Sequence, residues 1–142
     1  MKSSTRLKPE YILQADPTKR LADTIKRLLR RNAYTSLKKI VGKTHAADLS
    51  VVFHSLTISD QHRLFDMISG PEQKGVLFSE LDEDVFLTLV ADMTVESLVE
   101  ILEQMPTDDV ADLIGRFPLE KADDILKRMD LKESEEVEGL LR

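Results

Sequence analysis

The stretch 98-LVEILEQMPTDDVADLIGRF-117 holds two copies of one pattern: Ile101, Leu102 and Met105, then Leu113, Ile114 and Phe117 twelve positions later. Apolar residues at i, i+1 and i+4 share one face of a helix, and the period-two alternation of a strand is absent. Between the copies, Pro106-Thr107-Asp108 supplies residues that favour a helix start. The chain is expected to close one short helix and open another there.

The same pattern extends in both directions. The last apolar residue of each unit falls at Leu56, Ile68, Leu81, Met93, Met105, Phe117, Met129 and Leu141, with a single inserted residue before Leu81. Four positions earlier stand Val52, Leu64, Leu77, Leu89, Ile101, Leu113, Ile125 and Val137; three positions earlier, Phe53, Phe65, Phe78, Val90, Leu102, Ile114 and Leu126. Cap and turn residues separate the units, including Thr57-Ile58-Ser59-Asp60, Ser69-Gly70-Pro71-Glu72, Asp82-Glu83-Asp84, Thr94-Val95-Glu96, Pro118-Leu119-Glu120 and Asp130-Leu131-Lys132-Glu133. Isolated helices shorter than roughly 12 to 15 residues are marginal in water, so units this short must bury each stripe against neighbouring helices. The expected fold is all-α: a solenoid-like stack of about ten short antiparallel helices, each packed on the previous and the next.

Upstream the pattern is less regular. Thr18 to Arg31 has Leu21, Ile25, Leu28 and Leu29 at helical spacing, ended by Asn32, and a second segment runs from Tyr34 to Val41. Residues 1–17, with Pro9 and Pro17, read as an N-terminal arm. Residues 18–44 read as basic N-terminal helices of the domain and 45–142 as its twelve-residue repeats. Gly42-Lys43-Thr44 shares its composition with the end of a phosphate-binding loop. That motif needs a glycine five residues earlier, where Leu37 stands, so the segment reads as an interhelical turn.

With no Cys among 142 residues, disulfides and thiolate metal sites are excluded and a reducing compartment is the natural setting. No apolar run reaches the 18 or so residues of a membrane span. The net charge of −6 conceals a polarity: residues 1–45 carry 12 basic and 3 acidic side chains, net +9, and residues 46–142 carry 8 and 23, net −15. So acidic a body disfavours nucleic acid as a partner. The basic segment suits an anionic lipid surface or the acidic body itself.

No catalytic constellation is present. His45, His54 and His62 do not share a helix face with carboxylates at zinc-ligand spacing, although His45 and Asp48 are three apart; they read as surface or capping residues, and Ser55 is only a sequence neighbour of His54. Met67, Met93, Met105 and Met129 fall on or beside the apolar stripe and read as core fillers. The acids at Asp108, Asp109 and Asp112 carry more information. On a helix Asp108 and Asp112 lie one turn apart, opposite the stripe of Val110, Leu113, Ile114 and Phe117. Like charges at i, i+4 repel, and a divalent cation would relieve them; magnesium takes as few as one or two carboxylates and keeps its waters. Equally, Asp108 and Asp109 can complement the helix start while Asp112 is solvated. Spacing alone favours the second reading, since Glu96 with Glu100 and Glu120 with Asp124 repeat it.

His45-Ala46-Ala47-Asp48-Leu49, the twelve-residue ladder and Asp108-Asp109-Val110-Ala111-Asp112-Leu113 together resemble the cytoplasmic N-terminal domain of MgtE-type magnesium transporters, from about residue 21 onward. The resemblance implies a right-handed superhelix followed by paired CBS domains and a transmembrane pore, on the cytoplasmic side of the inner membrane and dimeric in the full-length protein. It implies a regulatory, magnesium-sensing role without catalysis, with Mg2+ held between Asp108, Asp109 and Asp112 and the CBS domains. Two departures stand out: Ala46 replaces a proline, and Gly75 occupies a position where family members can carry an acidic interface residue. Similar short-helix stacks also occur in the flagellar motor switch protein, which makes a metal-free interaction scaffold the alternative. A third possibility is that Lys19 to Arg31 forms a basic amphipathic helix on lipid or nucleic acid.

Overall fold

Five of the helices end where the third apolar residue of the stripe folds back onto the core and not along the axis. The backbone N–H groups of Leu56, Ile68, Met93, Met105 and Phe117 donate to the carbonyls three residues earlier, tightening the last turn. The computed structural model, which describes residues 16–129 and 138–140, has nine helices. They are α1 (Pro17–Arg30), α2 (Tyr34–Lys43), α3 (Ala46–His54), α4 (Ile58–Asp66) and α5 (Gly70–Glu80), then α6 (Glu83–Ala91), α7 (Val95–Leu102), α8 (Thr107–Ile114) and α9 (Leu119–Arg128). Residues 138–140 are helical again, and no strand occurs among the described residues. Residues 1–15 of the expected arm, the turn at Asp130 to Glu133, and the ladder positions Val137 and Leu141 lie outside the described residues.

Helix starts follow the cap chemistry. Thr57 and Thr94 accept hydrogen bonds from the N–H groups of Asp60 and Ser97, while Pro106 and Pro118 occupy the cap positions of α8 and α9. Asp16 caps α1 by accepting from the Lys19 N–H, with Pro17 at the first helical position, one residue before the expected start. Asn32 ends α1's turn at φ 55°, a left-handed conformation that asparagine tolerates. Contrary to the expected turn at Gly42-Lys43-Thr44, α2 continues through Gly42 and Lys43 and stops at Thr44, whose hydroxyl donates to the Ile40 carbonyl. The inserted residue near Gly70 to Gly75 is absorbed in α5, which has 11 residues; there Leu81 bonds the carbonyl four residues back, so the helix is not tightened at its end.

The packing differs from the expected contact of each helix mainly with its immediate neighbours. Apart from α1 on α2, the most extensive backbone contacts run between alternate helices, α1 on α3, α3 on α5, α5 on α7 and α7 on α9, with α4 on α6 alongside. A turn of two to four residues reverses the chain into the other row, so the next helix along the same row is two units away. The stripes of both rows meet between them in one core. Four rings cross it: Phe65 stacks on Phe78 at 5.3 Å, Phe78 meets Phe86 edge-on at 5.3 Å, and Phe86 meets Phe117 edge-on at 5.1 Å. Met129 is buried, and Met67, Met93 and Met105 are partly buried against the same core.

Two long-range caps tie the rows together. Arg63 on α4 donates to the Leu29 carbonyl and to Asn32 Oδ1 at the end of α1 while pairing with Asp60. Lys121 Nζ on α9 donates to the carbonyls of Val90, Ala91 and Met93 at the end of α6. In both cases a cation from a distant helix satisfies the acceptor-rich C-terminus of another.

Because Phe86 is fully buried and touches two other rings, Phe86→Ala is expected to lower unfolding free energy by about 3–5 kcal/mol in urea titration. Leu119→Ala, at a position 83% exposed, is expected to change it by under about 0.5 kcal/mol.

Candidate cation interface

α8 is short because Pro106 fixes its start and Gly115 follows its end. Val110, Ala111, Leu113 and Ile114 are buried, which turns Asp108 and Asp112 outward into solvent. Asp109 is half-buried, since one step along a helix rotates a side chain by about 100° from its neighbour. Asp108 Oδ1 accepts a hydrogen bond from the Asp109 N–H at 3.0 Å, so one of its oxygens already serves the helix start.

The three predicted residues therefore share a helix without converging. Among the described residues no group of three or more His, Asp or Glu side chains is arranged to hold a metal. What α8 presents is a pair of exposed carboxylates one turn apart, hard oxygen donors of the kind magnesium accepts, with the remaining coordination left to water or to a second surface. The acidic pairs of equal spacing are not equivalent to it in every case. Glu96 forms an ion pair with Arg128, whereas among the described residues neither Asp108 nor Asp112 is paired with a Lys or Arg.

Gly75 corrects an expectation. It is not a surface position stripped of its carboxylate: it is buried in α5 against α7, and a Cβ there would lie 2.6 Å from Met105 Cγ and 3.6 Å from Ile101 Cγ2. A side chain at this position would point into the packing between two helices of one row, not toward a partner.

The structure also assembles groups that no sequence spacing announces. His54 Nδ1 lies 3.5 Å from Asp82 and His62 Nε2 lies 3.7 Å from Asp92, so two histidines bracket the ends of α6. His62 and Asp92 also line a cleft with Asp66, Lys74, Ser97 and Glu100. His45 stands at the cap position of α3 without a side-chain cap bond. The partners of His54 and His62 are the two cap residues of α6, far along the chain from both histidines, and only tertiary packing brings them within reach.

Residues 44–142 match a family model described as the MgtE intracellular N domain. A solved structure described as "Crystal structure of the soluble part of a magnesium transporter" has the same fold, with a TM-score of 0.76 at 19% identity over 88% of this chain. The chain spans 49% of the length of that structure. No curated protein matches it by sequence. Among the described residues no helix is long and apolar enough to cross a membrane.

Gly75→Asp is expected to destabilise the fold by about 2 kcal/mol or more, because a carboxylate would be buried against Met105 without a partner. A urea midpoint unchanged from the parent protein would show that the position opens outward instead.

Proposed function

The chain belongs to the family of MgtE intracellular N domains, and from that premise we propose that it is the magnesium-sensing regulatory domain of an MgtE-type magnesium transporter. In this reading it lies on the cytoplasmic side of the membrane, is joined to CBS domains and a transmembrane pore, and acts in a homodimer by changing position, not by catalysis. Asp108 and Asp112 would hold Mg2+ together with carboxylates of the facing CBS surface, and Asp109 would add to the local negative field. The observation that carries the metal role is the α8 face itself: two outward carboxylates one turn apart that no Lys or Arg of the described residues pairs with.

The charge balance supports the same reading. Residues 46–142 have a net charge of −15, so a second acidic surface is repelled unless something screens the contact. Bound magnesium supplies that positive charge. When it is scarce, the α8 carboxylates and the facing acids repel one another and the domain moves away; when it is plentiful, the two surfaces close and the pore is held shut. The incomplete donor set on α8 fits a cation shared across an interface better than one caged within a single domain.

In the full-length protein, magnesium is expected to compact the cytoplasmic region, as read by small-angle scattering. The combination of Asp108→Asn and Asp112→Asn is expected to raise the magnesium concentration at half-compaction about tenfold, or roughly 1.4 kcal/mol. Glu96→Gln, which breaks an internal ion pair, is expected to leave it unchanged. Compaction insensitive to the α8 substitutions, with partner capture unaffected by chelator, would instead identify a metal-free scaffold.

A further inference from the structure

We propose that the outer face of α1 and α2 is a docking surface for an anionic phospholipid bilayer. α1 packs on α2 and α3 and closes one end of its row, so its outer face has no helix over it among the described residues. An end helix of a stack needs only a polar outer face. At the other end α9 has one of mixed sign, with Glu120, Asp123 and Asp124 beside Lys127 and Arg128 exposed. α1 is different. Its exposed charges are Lys19, Arg20, Arg27, Arg30 and the adjoining Arg31, against Asp23 alone within the helix, and α2 adds three exposed lysines and no acid.

Internal structure accounts for only part of this charge. Arg27 and Arg30 favour the C-terminal end of the helix dipole, but Lys19 and Arg20 stand in or next to the first turn, where cations are unfavourable and no acid is present. Asp16 at the cap is occupied by the Lys19 N–H. Among the described residues none of the α1 or α2 cations forms an ion pair. A surface that concentrates like charge at a cost to its own helix is suited to an external anion.

The distribution of charge selects a bilayer over nucleic acid. Residues 46–129 contain 18 acidic and 6 basic side chains, so a polyanion that wraps around the protein meets repulsion, whereas a flat surface meets only the basic end. Tyr34, 47% exposed at the start of α2, offers the amphipathic ring that suits the headgroup level, and it is the sole large exposed aromatic among the described residues. A stacking platform for bases needs several such rings.

The test is co-sedimentation of the 142-residue chain with vesicles, in chelator so that the α8 carboxylates have no metal to hold. Binding is expected to phosphatidylcholine vesicles containing about 30% phosphatidylserine and not to phosphatidylcholine alone, and to vanish at about 0.5 M NaCl. Replacing Arg27, Arg30 and Arg31 with Gln is expected to weaken it about a hundredfold. Replacing the three α2 lysines with Gln provides a second variant should the first lose its helical circular dichroism. The Asp108→Asn and Asp112→Asn protein is expected to bind vesicles like the parent, so the outcome is independent of the magnesium reading. No binding to the anionic vesicles, equal binding to both vesicle types, full binding by a folded charge variant, or tighter binding to duplex DNA at the same salt would each overturn the proposal.

Discussion

Helices of eight to eleven residues hold their shape here only because the i, i+1, i+4 stripes of two rows close on one another. The chain of rings from Phe65 through Phe78 and Phe86 to Phe117 is the continuous part of that contact, reaching from α4 to the turn after α8. The rest of the architecture follows from it. Where a stripe ends on a residue folded back into the core the helix stops, and a helix that stops after two or three turns leaves its opposite face free. Burial and exposed charge thus fall on opposite sides of a unit, with α8 the clearest case.

The same economy explains the long-range caps. Short helices have a high proportion of unpaired end groups, and this chain satisfies two of its helix C-termini with side chains from elsewhere: Arg63 at the end of α1 and Lys121 at the end of α6. Each cation links elements roughly thirty residues apart in sequence, which adds non-local order to a fold that is otherwise built from near neighbours. With Arg63, Lys121 and Arg128 engaged within the body, it presents a mainly acidic exterior, and exposed positive charge is densest on α1 and α2.

The sequence announces the helices because burial is periodic: the ladder residues at Val52, Phe53, Leu64, Leu77, Phe78, Leu89, Leu102 and Ile125 are all fully buried or nearly so. It also marks most boundaries, since Thr57, Thr94, Pro106 and Pro118 act locally. Row alternation is not legible, because twelve-residue spacing is the same whether a stripe meets the next unit or the one after it. The glycine at position 75 shows the same limit. Its burial under Met105 depends on α7 coming to rest against α5, a contact between units that no local pattern encodes. The outward direction of Asp108 and Asp112 is readable from periodicity, whereas the neutralisation of Glu96 by Arg128 depends on two helices meeting.

If function resides on the outer face of α8, a divalent ion should find that face before the other acidic pairs. The direct measurement is paramagnetic broadening of backbone amide resonances by manganese(II), a magnesium substitute, added at low stoichiometry to the isotopically labelled chain. The account predicts that broadening begins at Asp108 to Asp112 and spreads outward from them. Broadening that begins at Glu120 and Asp124, or that rises uniformly along the acidic exterior, would contradict it.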